Sequence, residues 1–184
     1  MCFYNDVQHS DEIFDVVDET DRVIGQATRS EVHARKLRHR AVHVFLFNEA
    51  GELFIQKRSE NKDTFPGRQD SSASGHLSGG ETYDACAVRE LAEELGIVAA
   101  DLKRHFKIGA CPQTGWEFVW VYSFQTKEPP LINLQEIESG TFCSASQVRA
   151  SVVLHPNQFA PSFLQVFQEF DQRGLLPETP HPHC

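Results

Sequence analysis

Short apolar runs, separated by turn-forming residues, dominate the first third of this 184-residue chain. Residues 12–28 hold two such runs on either side of the polar segment 18–21, and this pattern predicts a β-hairpin. Residues 41–48 are rich in β-branched and aromatic side chains, which is typical of a buried strand. A turn at 49–51 precedes another apolar run at 52–58, which we expect to return as the hairpin partner of that strand.

Four stretches favour a helix. A short helix is predicted within residues 29–40, with Ser30 as its cap, and another within residues 144–152. Residues 82–95 contain no helix breaker and several strong helix formers. Residues 161–173 have an amphipathic pattern that places four apolar side chains on one side of a helix. These side chains are Phe163, Leu164, Phe167 and Phe170.

The second half of the chain predicts two further strands. Residues 99–109 favour one strand, and residues 115–124 alternate in the manner of another. The alternating aromatic residues of the latter are Trp116, Phe118, Trp120 and Tyr122. We expect them to fill the core, and the alternative is that some of them stack on a nucleotide base. Residues 59–74 are rich in Gly, Pro, Asp and Ser and are predicted to form a loop.

The length and the composition are those of one globular domain. We expect that domain to span residues 12–174, because no internal repeat, low-complexity tract or linker interrupts it. Residues 1–11 and 175–184 are predicted to be flexible segments at the two ends.

The net charge of −9 argues against binding nucleic acid or an acidic membrane surface through charge alone. No apolar run approaches 18 residues, and the first residues lack the pattern of a secretory signal, so a transmembrane helix and secretion are not expected. The five cysteines are scattered, without a CxxC pair, which favours reduced thiols. Together these features predict a cytoplasmic protein.

The stretch 75–97, GHLSGGETYDACAVRELAEELGI, carries the clearest chemical signal. On a helix that ends near Gly96, the side chains of Glu90, Glu93 and Glu94 fall within a sector of about 100°. The opposite side, predicted to pack on the core, holds Val88, Leu91, Ala92 and Leu95. Three carboxylates on one solvent-facing stripe repel one another, and Mg²⁺ or Mn²⁺ would remove that repulsion. The alternative is a solvated acidic helix face.

This stretch resembles a complete Nudix box, since every fixed position of the pattern Gly-x5-Glu-x7-Arg-Glu-U-x-Glu-Glu-x-Gly-U is matched, where U is a bulky aliphatic residue. The resemblance implies an α/β fold, an α/β/α sandwich with a mixed β-sheet and a loop–helix–loop metal site. It also implies cleavage of a diphosphate linkage in a small-molecule substrate of the nucleoside-diphosphate type.

The same resemblance implies roles for the residues of the box. Glu90, Glu93 and Glu94 would be the metal ligands. Arg89 would orient the glutamates through a salt bridge to Glu81. Glu81 or one of the ligands would help to activate water.

A local excess of basic residues precedes the first buried strand, in Arg29, His33, Arg35, Lys36, Arg38 and Arg40. Such a patch is able to meet substrate phosphates, and the alternative is a solvated face. Lys57 and Arg58 end the following strand just before the loop that leads to the box. We predict that they contact a substrate phosphate, with surface solvation as the alternative.

Outside the box, residues 39–59 and the Ser74-Gly75-His76 segment resemble the Nudix branch of isopentenyl diphosphate isomerase and its mostly uncharacterised hydrolase relatives. The resemblance implies a second metal site formed by histidines and acids. The corresponding residues here are His33, His39, His76 and Glu117. Imidazole and carboxylate together suit Mn²⁺, Zn²⁺ or Fe²⁺ better than Mg²⁺ alone. Many relatives of this fold are dimers, so a homodimer is an expected assembly.

Three departures from the isomerase separate this chain from it. Ser74 stands where the isomerase has its catalytic cysteine, and a hydroxyl is a much poorer proton donor than a thiol. The box is complete, whereas the isomerase usually has a degraded one. Gln69 replaces a tryptophan. We therefore predict a hydrolase on the isomerase-like frame, with an isomerase and a non-catalytic diphosphate-binding module as the alternatives.

Overall fold

The structure is a computed structural model that describes residues 12–99 and 101–177. The predicted flexible segment 1–11, and residues 178–184 of the other, lie outside the described residues. The strands are β1 (Ile13–Val17), β2 (Val23–Thr28), β3 (His39–Phe47), β4 (Leu53–Arg58), β5 (Gln69–Asp70), β6 (Ala73–His76), β7 (Lys103–Ile108), β8 (Glu117–Gln125) and β9 (Ile137–Cys143). The helices are α1 (Arg29–Arg35), α2 (Tyr83–Leu95), α3 (Ala145–Leu154) and α4 (Pro161–Gln172).

A mixed seven-stranded sheet forms the centre of the fold. Its main path runs β5-β4-β3-β8-β7, while β6 pairs with β3 and β9 pairs with β4. Only the central β3–β8 pair is parallel among the described pairs of this sheet. The strands β1 and β2 form a separate antiparallel hairpin, as the apolar pattern predicted.

Helices cover both faces of the sheet, so the predicted α/β/α sandwich is confirmed. On one face, α2 buries Ala87, Leu91 and Leu95 against β3 and β6. On the other face, α3 and α4 close a second apolar cluster that includes all four predicted apolar residues of α4. Alternate side chains of β3 enter the two clusters, which explains why the strand is apolar without interruption from Val44 to Phe47.

Two predictions about local structure were wrong. Thr28, not Ser30, caps α1, since its side chain accepts a hydrogen bond from the amide of Glu31. The helix ends at Arg35 because Lys36 adopts a left-handed conformation, with a φ of 53°. The segment predicted as a loop at 59–74 contains β5 and the first part of β6, because partners distant in sequence supply their hydrogen bonds.

The second predicted hairpin is present only at its turn. β3 pairs with β4 at Phe47 and Leu53, and the rest of β4 pairs instead with β9 and β5. The strand β9 was not predicted, and it supplies the long partner of β4. The two strands of the expected hairpin therefore diverge, and β6 enters beside the first half of β3.

The chain end predicted to be flexible begins with two residues that pack on the core, since Leu175 and Leu176 contact the α4 cluster. Within the described part of the chain, no helix combines the length and the apolar character that crossing a membrane would require.

Candidate active site

The box residues are held by α2 and the loop before it. The Thr82 side chain accepts a hydrogen bond from the amide of Ala85 at 3.2 Å and so caps the helix N-terminus. Gly96 ends the helix in a left-handed conformation with a φ of 66°, as its position in the sequence predicted. Local sequence therefore determines where this helix starts and stops.

The expected solvent-facing stripe of glutamates was wrong. Glu90 and Glu94 are buried, with 9% and 3% exposure, and only Glu93 is exposed. The carboxylate of Glu90 lies where a side chain on Gly75 would otherwise be, because β6 passes directly over this point of α2. The helix thus turns two of its acids toward the sheet.

Arg89 connects the acids of the box. Its guanidinium donates to both carboxylate oxygens of Glu81 at 2.9 Å, to Glu90 Oε1 at 2.7 Å and to Glu93 Oε2 at 3.0 Å. A further bond from Nη2 reaches the His76 carbonyl at 3.0 Å and ties α2 to β6. Burial alone would raise the pKa of Glu81, but the bonds from Arg89 hold it below its ordinary value.

The two buried glutamates have the electrostatics of a cation site. Burial raises the pKa of Glu90 to about 7, although Arg89 opposes the change. Burial and the neighbouring Glu90 raise the pKa of Glu94, whose Oε2 accepts a hydrogen bond from the neutral amide of Gln56 at 2.9 Å. Buried carboxylates that repel one another are stabilised by a bound cation, and carboxylate oxygen is the ligand that Mg²⁺ and Mn²⁺ prefer. The residues present therefore fit a divalent metal.

Three residues at this site were not identified from the sequence. Gln56 bonds to Glu94, and the ammonium of Lys62 forms an ion pair with Glu136. Lys62 also acts electrostatically on both buried glutamates of the box. The one sequence signal for Gln56 is a polar residue inside an apolar strand, while Lys62 and Glu136 lie in connecting segments whose position only the fold determines.

The second predicted group of metal ligands comes together in the structure. His33, His39, His76 and Glu117 each offer a ligand atom, and these atoms lie within 4.8 Å of one another. We call these four residues the histidine cluster. They come from α1, β3, β6 and β8, and strand register explains their meeting, because His39 lies opposite Glu117 and Ala41 lies opposite His76.

The histidine cluster contains an unpartnered nitrogen. His39 is 1% exposed, and its Nδ1 lies 2.9 Å from the Leu37 carbonyl, which can only accept. In the neutral ring Nδ1 therefore carries the proton and Nε2 carries a lone pair. This buried Nε2 has no hydrogen-bond partner among the described residues. A buried imidazole lone pair beside a carboxylate suits Mn²⁺, Zn²⁺ or Fe²⁺. The donor set fits such an ion.

The acid of the cluster stays ionised. Burial alone would raise the pKa of Glu117, but His76 holds it well below its usual range. Burial lowers the pKa of His76 to about 4, against the pull of Glu117. A neutral imidazole and an ionised carboxylate are the protonation states that a metal requires.

The N-terminal hairpin covers the histidine cluster. Phe14 of β1 stacks on His39 and His76, with ring centroids 5.8 Å and 4.9 Å away. The sequence offered no signal for this contact beyond the apolar character of Phe14. The hairpin is thus part of the site.

The two groups of ligands lie on opposite faces of β6. Successive side chains of a strand point to opposite faces, so Gly75 faces α2 while His76 faces the histidine cluster. The bond from Arg89 to the His76 carbonyl joins the two sides.

The basic residues predicted to contact phosphate have other partners in the structure. Arg58 is buried and donates to Asp70 Oδ2 and to the Thr64 carbonyl, both at 3.1 Å. Lys57 pairs with Glu138 at 2.8 Å near the surface. These contacts favour a structural role for Arg58.

The predicted basic patch does not form a single solvated face. Arg40 bonds to Asp21 in the hairpin turn, and Arg35 pairs with Glu31 along α1. His33 joins the histidine cluster, and Arg29 is buried beside it.

The aromatic residues near 116–122 separate into two groups. Phe118 and Tyr122 are buried, as expected, and Tyr122 belongs to the apolar cluster between the sheet and α2. Trp116 was wrongly placed in the strand, since it precedes β8 with a φ of 69°. Trp120 is partly exposed, and the Arg104 guanidinium lies 3.6 Å from the centre of its ring.

Comparison with known proteins gives consistent matches. Residues 37–164 match the NUDIX domain family. An uncharacterised Nudix hydrolase of Escherichia coli K12, YfcD, is 38% identical over 174 residues, which cover 92% of this chain and 92% of that protein. Isopentenyl-diphosphate Delta-isomerase 2 of Photorhabdus laumondii is 30% identical over 170 residues, which cover 90% and 96%. The crystal structure of DR0079 from Deinococcus radiodurans is similar with a TM-score of 0.76 and 29% identity, over 86% of this chain and 98% of that one.

Some matches are shorter. Against two other uncharacterised Nudix hydrolases, the chain spans about half of their length, 48% and 52%. These shorter matches indicate a shared domain and carry no conclusion about the activity of a whole protein.

Proposed function

The chain belongs to the Nudix hydrolase superfamily, and from that premise we propose that it is a metal-dependent diphosphohydrolase. Its substrate would be a small molecule with a diphosphate linkage, of the nucleoside-diphosphate type, cleaved by water at phosphorus. The observation that carries this proposal is the pair of buried carboxylates, Glu90 and Glu94, in a complete box. A buried acidic pair with raised pKa values is costly unless it serves a site.

Different residues of the box have different roles in the proposed reaction. Glu90, Glu93 and Glu94 would hold Mg²⁺ or Mn²⁺, which supplies charge neutralisation at the phosphates and a more acidic water. Arg89 orients Glu81, Glu90 and Glu93 through its four bonds to them. Glu81, with both oxygens engaged by Arg89 and a lowered pKa, suits a positioning role. Either Glu81 or Glu90 would accept the proton from water.

The structure favours Lys62 over Lys57 and Arg58 as the contact for a substrate phosphate. Lys62 is the lysine that acts on both buried glutamates, whereas Arg58 is held by Asp70. We propose that substrate phosphate competes with Glu136 for the Lys62 ammonium.

We further propose that the histidine cluster holds a second ion, Mn²⁺, Zn²⁺ or Fe²⁺. The buried lone pair of His39 and the ionised Glu117 support this assignment. A homodimer remains a prediction, as does the expectation that no nucleic acid is bound.

The test is hydrolysis followed by phosphorus NMR. A panel of nucleoside di- and triphosphates, dinucleotides, sugar nucleotides and coenzyme A is incubated with Mg²⁺ or Mn²⁺, using the wild-type protein and Glu94→Gln. We expect metal-dependent cleavage of at least one compound, and a kcat lower by about a hundredfold or more in the variant, because it removes a charge from a preorganised site.

The control is Glu169→Gln, which changes a partly exposed acid on α4, paired with Arg173, and should leave turnover unaltered. Circular dichroism must show that Glu94→Gln is folded. Near-normal turnover in that variant, or no cleavage of any compound by the wild type, would count against the hydrolase.

One observation favours a second candidate, an isomerase acting on isopentenyl diphosphate. The histidine cluster corresponds to the metal site that the resemblance implies for that enzyme, and a relative carries its name. Ser74 in place of the catalytic cysteine argues against it. A sample of isopentenyl diphosphate in the same panel, checked for the allylic isomer by proton NMR, decides between the two. Binding without either reaction would instead indicate a non-catalytic module.

A further inference from the structure

Arg29 makes an unusual contact with a residue of the histidine cluster. It is the first residue of α1, it is buried, and its Nη1 lies 3.1 Å from His76 Nδ1. Its Nε and Nη2 each lie 3.0 Å from the carboxylate of Asp63. Nη1 also lies 3.5 Å from Glu12 Oε2, so the guanidinium is fixed between two acids and an imidazole nitrogen.

This contact determines where the proton of His76 lies. A guanidinium has only donors, so His76 Nδ1 must accept and carry the lone pair. In a neutral imidazole the proton then sits on Nε2, which lies 2.9 Å from Glu117 Oε1 and donates to it. The proton occupies the side of the ring that faces the other ligands.

His39 has the opposite arrangement. Its Nδ1 donates to the Leu37 carbonyl, so its Nε2 lone pair faces Glu117 at 3.5 Å. A ligating histidine normally donates its other ring N–H to an oxygen, as His39 does. His76 cannot do so while Arg29 holds its Nδ1.

We propose that Arg29 is a positioning residue that locks His76 in the tautomer unable to bind a metal through Nε2. This inference rests on the proposed second metal site. Metal binding then requires the Arg29 guanidinium to leave Nδ1 and remain with Asp63. The ring keeps one proton, which moves from Nε2 to Nδ1 by exchange with water, so this ring releases no net proton.

The lock also connects the cluster to the loop that follows β4. Asp63, which retains Arg29, directly follows Lys62, the residue whose ion pair with Glu136 lies beside the box. Displacement of Arg29 from His76 Nδ1, while it stays bonded to Asp63, therefore acts on the same loop as Lys62. Loading of the cluster depends in this way on a residue that is not itself a ligand.

The first experiment reads the tautomer directly. Histidine-¹⁵N-labelled wild-type protein, stripped of metal with a chelator, is studied by long-range ¹H–¹⁵N correlation NMR. The signals of His76 are assigned by their loss in His76→Gln. We expect the Nε2–H tautomer for His76. Finding the Nδ1–H tautomer in the metal-free protein would overturn the proposal, whatever the behaviour of any variant.

The second experiment removes the lock with Arg29→Gln, whose amide oxygen can accept from Nδ1–H. We expect His76 to shift toward the Nδ1–H tautomer. Co²⁺ should then bind about tenfold more tightly or better, because the charged hydrogen bond from Arg29 to His76 Nδ1, which opposes metal binding, is lost. Affinity is measured from the visible absorption of Co²⁺, with His76→Gln as the baseline for binding elsewhere. Arg35→Gln, an exposed change on the same helix, is the matched control and should alter neither quantity.

The outcomes separate this inference from the proposed function. If Co²⁺ affinity and the His76 tautomer are both unchanged in a folded Arg29→Gln protein, Arg29 does not control the tautomer. The proposed second metal site would be unaffected by that result. No specific Co²⁺ binding in any variant would remove the second site and the lock together. Neither result bears on hydrolysis at the box, which the phosphate panel tests independently.

Discussion

At the scale of single residues, Gly75 decides the geometry of the box acids. A Cβ at this position would overlap the carboxylate of Glu90, so only glycine lets β6 pass so close to α2. The need for glycine here comes from close approach and not from an unusual backbone angle. The position of the buried carboxylate therefore depends on the absence of one methyl group.

Gly75→Ala should displace Glu90 and lower kcat by about tenfold or more, because misplacing a catalytic group by about 1 Å can cost a hundredfold. The measurement is turnover of whichever panel compound the wild type cleaves, together with the melting temperature. Gly109→Ala is the matched control, since no atom lies within 4 Å of a Cβ built there. Equal turnover in both variants would show that Glu90 does not need its present position.

At the scale of elements, α2 shows how a helix can be predicted correctly and its faces incorrectly. Its start and end follow from Thr82 and Gly96, which act on neighbouring backbone groups. The buried face includes Cys86, Glu90 and Glu94, which apolar periodicity could not indicate. Apolar periodicity predicts that acidic side chains face solvent. Here two of them face the sheet, where the absence of a side chain on Gly75 leaves space for Glu90 and Gln56 donates a hydrogen bond to Glu94.

Thr82→Val keeps the shape of the cap but removes the oxygen that bonds to the Ala85 amide. The protein should lose about 1 kcal/mol in its free energy of unfolding, the ordinary worth of an N-cap. Chemical denaturation at neutral pH gives this quantity. Thr141→Val, at an exposed site on β9, should cost much less, and an equal loss at both sites would show that the cap is not what stabilises α2.

At the scale of the whole molecule, buried ionisable groups make the free energy of unfolding depend on pH, and different groups act in opposite directions. Burial lowers the pKa of His33, His43 and His76, so these groups favour the folded state as pH rises. Glu90 acts in the other direction. Its pKa is raised from 4.5 to about 7, so between these values the folded state binds more protons than the unfolded state and stability falls as pH rises.

Comparing Glu90→Gln with the wild type cancels the contribution of the histidines, which are common to both proteins, and reports on Glu90 together with its effect on Glu94. In metal-free protein, the stability of the variant relative to the wild type should increase from about pH 4.5 to 7, by at most about 1.4 kcal/mol per pH unit, and then level off. Denaturation at a series of pH values measures it. A course parallel to that of the wild type for Glu90→Gln would contradict the raised pKa.

The sequence by itself determined several features that depend on near neighbours in the chain. The amphipathic spacing of α4 and the capped ends of α2 each follow from residues a few positions apart. The spacing of the box glutamates likewise identified both the family and the candidate ligands. Short-range steric and hydrogen-bonding preferences suffice for these features.

Only the tertiary structure decided which of those residues are buried and what they touch. It placed β9 beside β4, covered the histidine cluster with Phe14, and set Arg29 against His76. It also turned Glu90 and Glu94 inward. The burial of a side chain and the position of its proton depend on atoms from distant parts of the chain. Arg29 and His76 are 47 residues apart, and no periodic pattern in the sequence indicates their contact.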